Sequence, residues 1–259
     1  MKLGWCAPLE QAAMVQAIGY DYLEVPLAAF PLEDDTGLKA AKRAVKTSPL
    51  PLTVFSRFYP PDMRVVGPDV DKIRIQSWLK RAAELTHHAG AETVILGSAW
   101  ARNVPDGFSR QIATQQNLES YAWVADAFAP SGIRVGIEAQ NRKEANLILT
   151  LAEAAQAAQQ VNRPDVIRAM ADFYHMDEEN EPLSHLRDFA PWIAHVQVAD
   201  SNRLNPGTGT YDYDSFFRYL KEGGYDSTMS VECMVPIPEA GMKQSLDFLR
   251  AYCSSGKPT

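Results

Sequence analysis

The chain has 259 residues, a length that suits one large α/β domain or two small domains. Hydrophobic residues make up 46% of the chain, ample for a core, and the net charge of −7 lacks the basic footprint of a nucleic-acid-binding protein. No apolar stretch approaches the ~18 residues of a membrane span, and the N-terminus has no signal-peptide pattern. The charge leaves small molecules, cations and proteins as partners. Three cysteines, Cys6, Cys233 and Cys253, show no paired or CxxC spacing and indicate a reduced, intracellular protein, which we expect in the cytoplasm.

Strand and helix patterns alternate along the chain. Short apolar runs bounded by Pro or Gly predict strands, and apolar residues at helical spacing predict helices. The strands are predicted at 3–6, 20–25, 52–55, 93–96, 133–138, 166–171, 193–198 and 228–232. The helices are predicted at 8–18, 38–45, 70–88, 109–129, 145–161, 182–189, 213–222 and 240–252. Residues 56–69 form a long irregular segment, which is typical of an active-site cover.

Eight strands, each followed by a helical pattern within about 250 residues, predict an α/β fold of the (β/α)8 TIM barrel type. A doubly wound sheet would need fewer strands and usually a Gly-rich phosphate-binding turn, but the chain has no GxGxxG or Walker motif. No repeat, low-complexity segment or linker interrupts the pattern. We therefore expect one domain over residues 1–259.

Polar side chains stand where the predicted strands end, which is where a barrel carries its active site. They are Glu24, Glu138, Asp172 with His175, His195 with Gln197, and Glu232. Any one of them could be a helix cap or an ion-pair partner, and His195 is interpreted as a hydrogen-bonded core residue. Four successive strands that end in oxygen donors, three of them anionic, nevertheless indicate a site for a divalent cation.

Five segments resemble the xylose-isomerase-like superfamily of sugar isomerases and epimerases, and within it the ketose 3-epimerases and hydroxypyruvate isomerase. The segments are IEAQNR at 137–142, DFYHM at 172–176, HVQVAD at 195–200, the loop 202–209, and 224–232. The resemblance implies a divalent metal held by Glu138, Asp172, Gln197 and Glu232, with Mn²⁺ or Mg²⁺ expected first and Zn²⁺ or Co²⁺ as alternatives. It also implies that His175, Arg203 and Glu144 contact the substrate, and that the chain forms a homo-oligomer.

Gln197 departs from the pattern of the epimerases, which usually present a histidine at this position. The HxQxAD pattern is that of hydroxypyruvate isomerase. A carboxamide oxygen still coordinates a hard divalent ion, but it supplies no imidazole nitrogen. The departure is therefore expected to lower the preference for softer metals.

The chemistry that the resemblance implies moves a proton on a carbon beside a carbonyl, through an enediolate, with Glu138 and Glu232 as the acid–base pair. Return of the proton to the same carbon gives epimerisation, and return to the neighbouring carbon gives isomerisation. A keto-cyclitol dehydratase would use the same metal site and expel water. An apurinic endonuclease is a remote alternative, because that enzyme type builds a zinc cluster from many histidines and this chain has five. A barrel that binds metal without turnover is a further alternative.

Other loop residues give weaker signals. Arg57, Phe58 and Tyr59 follow the third predicted strand, and Trp100 and Arg102 follow the fourth. These side chains could cover the substrate or bind a phosphate. Cys6 and Cys233 lie at the ends of the first and eighth strands, which adjoin in a closed barrel, and small apolar packing is expected there rather than a disulfide.

Overall fold

Eight parallel strands form one closed barrel in the computed structural model, which describes residues 1–254. Each strand lies beside its neighbours in sequence, and the last pairs with the first. The strands are β1 Lys2–Cys6, β2 Tyr22–Pro26, β3 Val54–Ser56, β4 Thr93–Leu96, β5 Arg134–Glu138, β6 Ile167–Asp172, β7 Ile193–Val198 and β8 Thr228–Val231. The predicted (β/α)8 TIM barrel is confirmed, and it is a single domain.

Helices connect the strands on the outside of the barrel. Within the described residues they are α1 Ala12–Ile18, α2 Asp35–Val45, α3 Lys72–Ala89, α4 Ala99–Arg102, α5 Arg110–Phe128, α6 Leu151–Val161, α7 Phe173–Glu178, α8 His185–Asp188, α9 Tyr213–Glu222 and α10 Glu239–Ser254. Short 3₁₀ helices lie at Leu9–Gln11, Leu27–Ala29, Ala129–Ser131, Ala190–Trp192 and Ser201–Arg203. None of these helices combines the length with the apolarity that a membrane crossing would need.

A small apolar cluster fills the barrel interior. It consists of Tyr22, Val54, Ile95 and Met170, all fully buried. Gly4 makes room for the Tyr22 ring, because a Cβ on Gly4 would lie 2.3 Å from ring atoms. Polar strand-end side chains therefore sit above a packed interior, as the fold requires of an active site.

Several helices begin later than predicted, and the difference is largest for α6. The helix predicted at 145–161 starts at Leu151, because Thr150 accepts a hydrogen bond from the Glu153 amide as the N-cap, and Ile148 has a left-handed φ of 58°. In α3 the prediction that Ile73 belongs to the apolar face is wrong, since 84% of this residue is exposed. The buried face is formed by Ile75, Trp78, Leu79, Ala82, Ala83, Leu85 and Thr86.

The other differences involve a few residues each, and they include α1, which begins at Ala12 and not at Pro8, and α2, which begins at Asp35 and not at Leu38. Helices α4 and α7 were not predicted, and the helix predicted at 182–189 is only the four residues of α8. Strands β2 and β3 begin two residues later than predicted. Such short elements carry too few apolar positions to show a periodicity.

Candidate functional site

Three acidic side chains from three strands converge at the mouth of the barrel. Glu138 ends β5, Asp172 ends β6 and Glu232 directly follows β8. The carboxylate oxygens of Glu138 and Asp172 lie within 4.8 Å of one another and of a ring nitrogen of His175. Arg203 links this group to Glu232, because its Nη2 donates to Glu232 and lies 3.4 Å from Asp172 Oδ2.

His175 presents a protonated nitrogen to the carboxylates. Its Nδ1 accepts a hydrogen bond from the Asn141 backbone amide at 3.2 Å and lies 2.9 Å from the Asn141 side-chain nitrogen. Because Nδ1 is an acceptor, the ring proton belongs to Nε2, which lies 3.4 Å from Glu138 and 3.7 Å from Asp172. Burial alone would lower the pKa of His175, but Asp172 and Glu138 raise it above its ordinary value. Asn141, which sequence reasoning missed, thus fixes the tautomer of His175.

Arg203 is carried by a loop with an unusual backbone. Asn202 and Arg203 both have left-handed φ values, 60° and 58°. Asp200 stabilises the loop, since its carboxylate accepts hydrogen bonds from the backbone amides of Ser201 at 2.9 Å, Gly207 at 2.9 Å and Tyr211 at 3.2 Å. Asp200 was part of the matching segment but was not predicted to have this role.

The guanidinium of Arg203 lies between an aromatic ring and several acids. It stands 4.6 Å from the centre of the Tyr174 ring and 3.7 Å from Glu144. Burial by itself would lower the pKa of Arg203. The carboxylates of Glu232 and Asp172 raise this pKa by more than burial lowers it, so the side chain stays charged. Of the three predicted substrate contacts, Arg203 and Glu144 therefore adjoin each other, and His175 reaches the same Asp172 carboxylate as Arg203, at 3.7 Å and 3.4 Å from its Oδ2.

Gln197 is oriented by a buried carboxylate. Its Nε2 donates to Glu24 Oε1 at 2.6 Å, while its Oε1 is buried and has no hydrogen-bond partner among the described residues. His195 lies behind Glu24, with Nε2 at 3.2 Å from Glu24 Oε2 and Nδ1 at 2.8 Å from the Thr228 hydroxyl. The interpretation of His195 as a hydrogen-bonded core residue is confirmed.

Burial shifts the acid–base properties of the mouth carboxylates. It raises the pKa of Glu138 above its ordinary value, against the opposing effect of His175. It raises the pKa of Glu232 to about 7, against the charge of Arg203. Glu24 differs, because its burial would raise its pKa but the interaction with the nearby His195 lowers it by more. Burial thus favours the protonated forms of Glu138 and Glu232, whereas His195 favours the ionised form of Glu24.

The donor atoms suit a hard divalent ion. Carboxylates converge on one mouth, and the buried Gln197 Oε1 lacks a partner there. Oxygen donors of this kind are the ligands that Mg²⁺ and Mn²⁺ prefer. A second group of potential ligands, Cys6, Glu24 and Glu232, lies beside the first. Cys6 therefore borders the site instead of only packing against apolar neighbours.

The sequence matches the family model described as xylose isomerase-like TIM barrel over residues 12–252. The chain belongs to this family. It is 25% identical over 253 residues to 3-dehydro-D-guloside 4-epimerase of Escherichia coli K12, spanning 93% of this chain and 94% of the relative. It is 36% identical over 110 residues to ketose 3-epimerase of Arthrobacter globiformis, spanning 42% and 38% of the two chains.

Solved structures of this family share the fold of the chain. The crystal structure of 3-keto-D-glucoside 4-epimerase from E. coli superposes with a TM-score of 0.82 at 24% identity, and covers 97% of this chain and 99% of that one. An identity this low shows the fold alone. The curated relatives are named as epimerases and isomerases, which confirms the prediction of an enzyme of that class.

Arg102 does not have the role suggested for it. Its side chain is buried and donates to the backbone carbonyls of Leu96 at 2.8 Å and Glu138 at 2.6 Å, and to Gln140 Oε1 at 3.3 Å. The hypothesis that it binds a substrate or phosphate is wrong, because these contacts turn the guanidinium into the protein. In this xylose isomerase-like barrel it joins the ends of β4 and β5.

The other loop residues divide into two groups. Phe58 and Tyr59 are buried core residues, so the suggestion that they cover a substrate is wrong. Trp100 is half-buried and donates to the Pro60 carbonyl at 3.0 Å. Arg57 is exposed, with a left-handed φ of 47°, and stays a candidate for contact with a charged ligand.

Gly97, directly after β4, is a site residue that sequence reasoning missed. A Cβ at this position would lie 1.6 Å from Glu138 Oε2. The absence of a side chain therefore makes the space that the Glu138 carboxylate occupies. The available signal was a glycine immediately after a strand, at the mouth of the barrel.

The five histidines are dispersed. Among residues 1–254, the groups of side chains close enough to share an ion contain one histidine, His175. His195 is bonded inside the barrel, and His185 pairs with Glu181 at 2.8 Å. His87 and His88 lie in the last turn of α3. This arrangement differs from the histidine-rich zinc cluster of an apurinic endonuclease.

Proposed function

We propose that the chain is a divalent-metal-dependent epimerase of a neutral keto-sugar. It would remove a proton from the carbon beside a carbonyl and return it to the same carbon through an enediolate. The observation that carries the proposal is the mouth itself, where Glu138 and Glu232 adjoin the protonated nitrogen of His175 and the guanidinium of Arg203.

The residues that would hold the metal are Glu138, Asp172, Gln197 and Glu232. They offer only oxygen atoms, which favours Mn²⁺ or Mg²⁺ over softer ions. When bound, the ion would act as a Lewis acid that polarises the carbonyl of the substrate.

Glu138 and Glu232 would exchange protons with the substrate. They come from β5 and from the end of β8, so each would serve one face of the reacting carbon. In the metal-free protein burial raises the pKa of both carboxyls, and that of Glu232 reaches about 7. A bound divalent ion would lower the pKa of both, so burial and the ion act in opposite directions on this pair.

His175 and Arg203 would stabilise the negative charge that develops on the substrate oxygen. The proton on His175 Nε2 and the Arg203 guanidinium are fixed in advance by Asn141 and by the loop around Asp200. In comparable sites one such donor contributes about 2.7–4 kcal/mol to the transition state. Glu144 would accept a hydrogen bond from a substrate hydroxyl.

The charge around the mouth favours a neutral substrate. The carboxylates in or beside it are Glu24, Glu138, Glu144, Asp172 and Glu232, against one guanidinium, that of Arg203. The nearby cations Arg142 and Lys143 are paired with Glu179 and Glu178. Carboxylates outnumber the cationic side chains that face them, so the added negative charge of a phosphorylated sugar would be disfavoured there.

Epimerisation is favoured over isomerisation and dehydration because a relative that spans 93% of the chain is named as a 4-epimerase.

The proposed reaction is tested by NMR of reactions in D₂O, each run with Mn²⁺ or Mg²⁺ and again with chelator. The substrates are free ketoses, keto-glycosides, hydroxypyruvate, inososes and sugar phosphates. We expect metal-dependent deuterium uptake beside the carbonyl and an epimer as product. An isomer or a dehydrated product would reassign the reaction, and turnover of sugar phosphates alone would refute the neutral substrate and implicate Arg57.

Variants test the proposed acid–base pair. Glu138→Gln and Glu232→Gln should each abolish turnover while the melting temperature shows that the fold survives. Glu119→Gln makes the same change on the exposed face of α5 and should leave turnover intact. Substantial activity in either mouth variant would contradict the assignment.

The homo-oligomer and the cytoplasmic location stay predictions.

A further inference from the structure

Gln197 is the only one of the four proposed metal ligands whose side chain has two chemically different ends. A carboxamide presents an oxygen that accepts and a nitrogen that donates. Only the oxygen can coordinate a cation, whereas the N–H groups would repel it. The orientation of this side chain therefore decides whether position 197 helps or hinders metal binding.

Glu24 permits only one orientation of the Gln197 carboxamide. Gln197 Nε2 donates to Glu24 Oε1 at 2.6 Å, and Gln197 Oε1 is buried without a hydrogen-bond partner among the described residues. An ionised carboxylate has no hydrogen to donate. The Glu24 carboxylate can therefore accept a hydrogen bond from the Gln197 nitrogen but cannot donate one to the Gln197 oxygen. The oxygen thus stays available to a metal ion at the mouth of the barrel.

Glu24 is itself held from behind. Its second oxygen lies 3.2 Å from His195 Nε2, and His195 Nδ1 lies 2.8 Å from the Thr228 hydroxyl. Glu24 and His195 are completely buried, and Thr228 nearly so. The four side chains thus form a continuous series from β8 through β7 and β2 to Gln197.

We propose that Glu24 is a positioning residue that turns the Gln197 carboxamide oxygen toward the metal, with His195 and Thr228 fixing Glu24. The proposal rests on the proposed function only in that a divalent ion binds at the mouth. Metal-binding histidines commonly donate their other ring N–H to a carboxylate that orients them. Glu24 would give Gln197 the same support.

The first measurement is the dissociation constant for Mn²⁺, from the EPR signal of free Mn²⁺ over metal-stripped protein. Glu24→Gln has nearly the same shape but can both donate and accept, so it admits both orientations of Gln197. We expect it to weaken Mn²⁺ binding by about tenfold or more, as removal of such orienting partners does.

A double-mutant cycle separates orientation from charge. Loss of the Glu24 charge weakens cation binding in any background through Coulomb attraction. The orienting effect requires Gln197, so Glu24→Gln should weaken Mn²⁺ binding much less when Gln197→Met is already present. Glu144→Gln is the matched control, because it removes a mouth carboxylate that does not contact Gln197, and its effect should be smaller than that of Glu24→Gln.

NMR of ¹⁵N-labelled protein gives a readout that needs no metal. The side-chain NH₂ signal of Gln197, identified by its loss in Gln197→Met, should exchange slowly with solvent in the wild type and faster in Glu24→Gln. If Gln197→Met fails to fold, Gln197→His serves, since an imidazole can donate to Glu24 and present its other nitrogen to the ion. Gln197→His should retain Mn²⁺ binding and still lose it with Glu24→Gln.

The outcomes of these experiments test the positioning role of Glu24 separately from the proposed epimerase reaction. Wild-type Mn²⁺ affinity in Glu24→Gln, or independent effects of the two substitutions, would overturn the positioning role while leaving the reaction open. Coupled effects on Mn²⁺ binding without deuterium uptake from any sugar would refute the proposed reaction and keep the positioning role. A wild-type chain that binds no Mn²⁺ would overturn both.

Discussion

Gly97→Ala adds one methyl group at the place where the Glu138 carboxylate lies. The Cβ would stand 1.6 Å from Glu138 Oε2 and 2.9 Å from Cδ. The backbone of Gly97 lies outside the left-handed region, so alanine fits its conformation. The substitution therefore acts on the carboxylate and leaves the main chain of β4 and α4 undisturbed.

The size of the effect follows from the displacement required. Cβ atoms essentially never lie closer than 3.0 Å to such a neighbour, so Oε2 must move by at least about 1.4 Å. A misplacement of about 1 Å in a reacting group can cost ~10²-fold in rate. We expect kcat to fall by about 10²-fold, with only a small change in melting temperature, because the end of a glutamate can rotate away.

The assay is deuterium uptake by the metal-loaded enzyme, with thermal unfolding measured on the same samples. Gly132→Ala is the matched control. Gly132 has a φ of 71° and open space where a Cβ would lie, and it precedes β5 by two residues, at the end of the strand opposite Glu138. Alanine there should cost roughly 1–2 kcal/mol of stability and leave kcat unchanged.

Two results would refute this reasoning. Full activity of Gly97→Ala would mean that the Glu138 carboxylate does not act from the observed position. A loss of activity that merely follows a loss of stability, as in Gly132→Ala, would mean that Gly97 serves the fold.

Burial raises the pKa of Glu232 from 4.5 to about 7, so the folded state holds a proton that the unfolded chain releases. The metal-stripped protein should therefore lose stability as pH rises from about 4.5 to about 7, and an equally steep loss in Glu232→Gln would contradict this. Arg102→Met should lower the free energy of unfolding in urea by about 2–4 kcal/mol, since two buried carbonyls lose their donor; an unchanged midpoint would refute the role. Asp200→Ala should raise KM by loosening the Arg203 loop without changing Mn²⁺ affinity; reduced Mn²⁺ binding would instead link Asp200 to the metal.

The sequence alone determined the barrel and the end of it that carries the site. Apolar runs that alternate with helical periodicity can bury both faces only in a parallel sheet covered by helices, and the number of strands closes it. The polar residues Glu138, Asp172 and Glu232 interrupt these runs at the strand ends. In a parallel barrel those ends share one mouth, so their proximity follows from the topology.

Only the tertiary structure decided what each polar side chain faces. Arg102 and Arg203 both follow strands, yet one binds backbone carbonyls inside the protein and the other lies among the mouth carboxylates. Glu24 looked like another acid at the mouth, but His195 and Gln197 occupy its oxygens. Sequence spacing fixes which end of a strand a residue occupies, whereas the partner it meets comes from a strand or loop distant in sequence. Hydrogen-bond geometry between those distant groups, and the space left by Gly97, therefore had to be read from the folded chain.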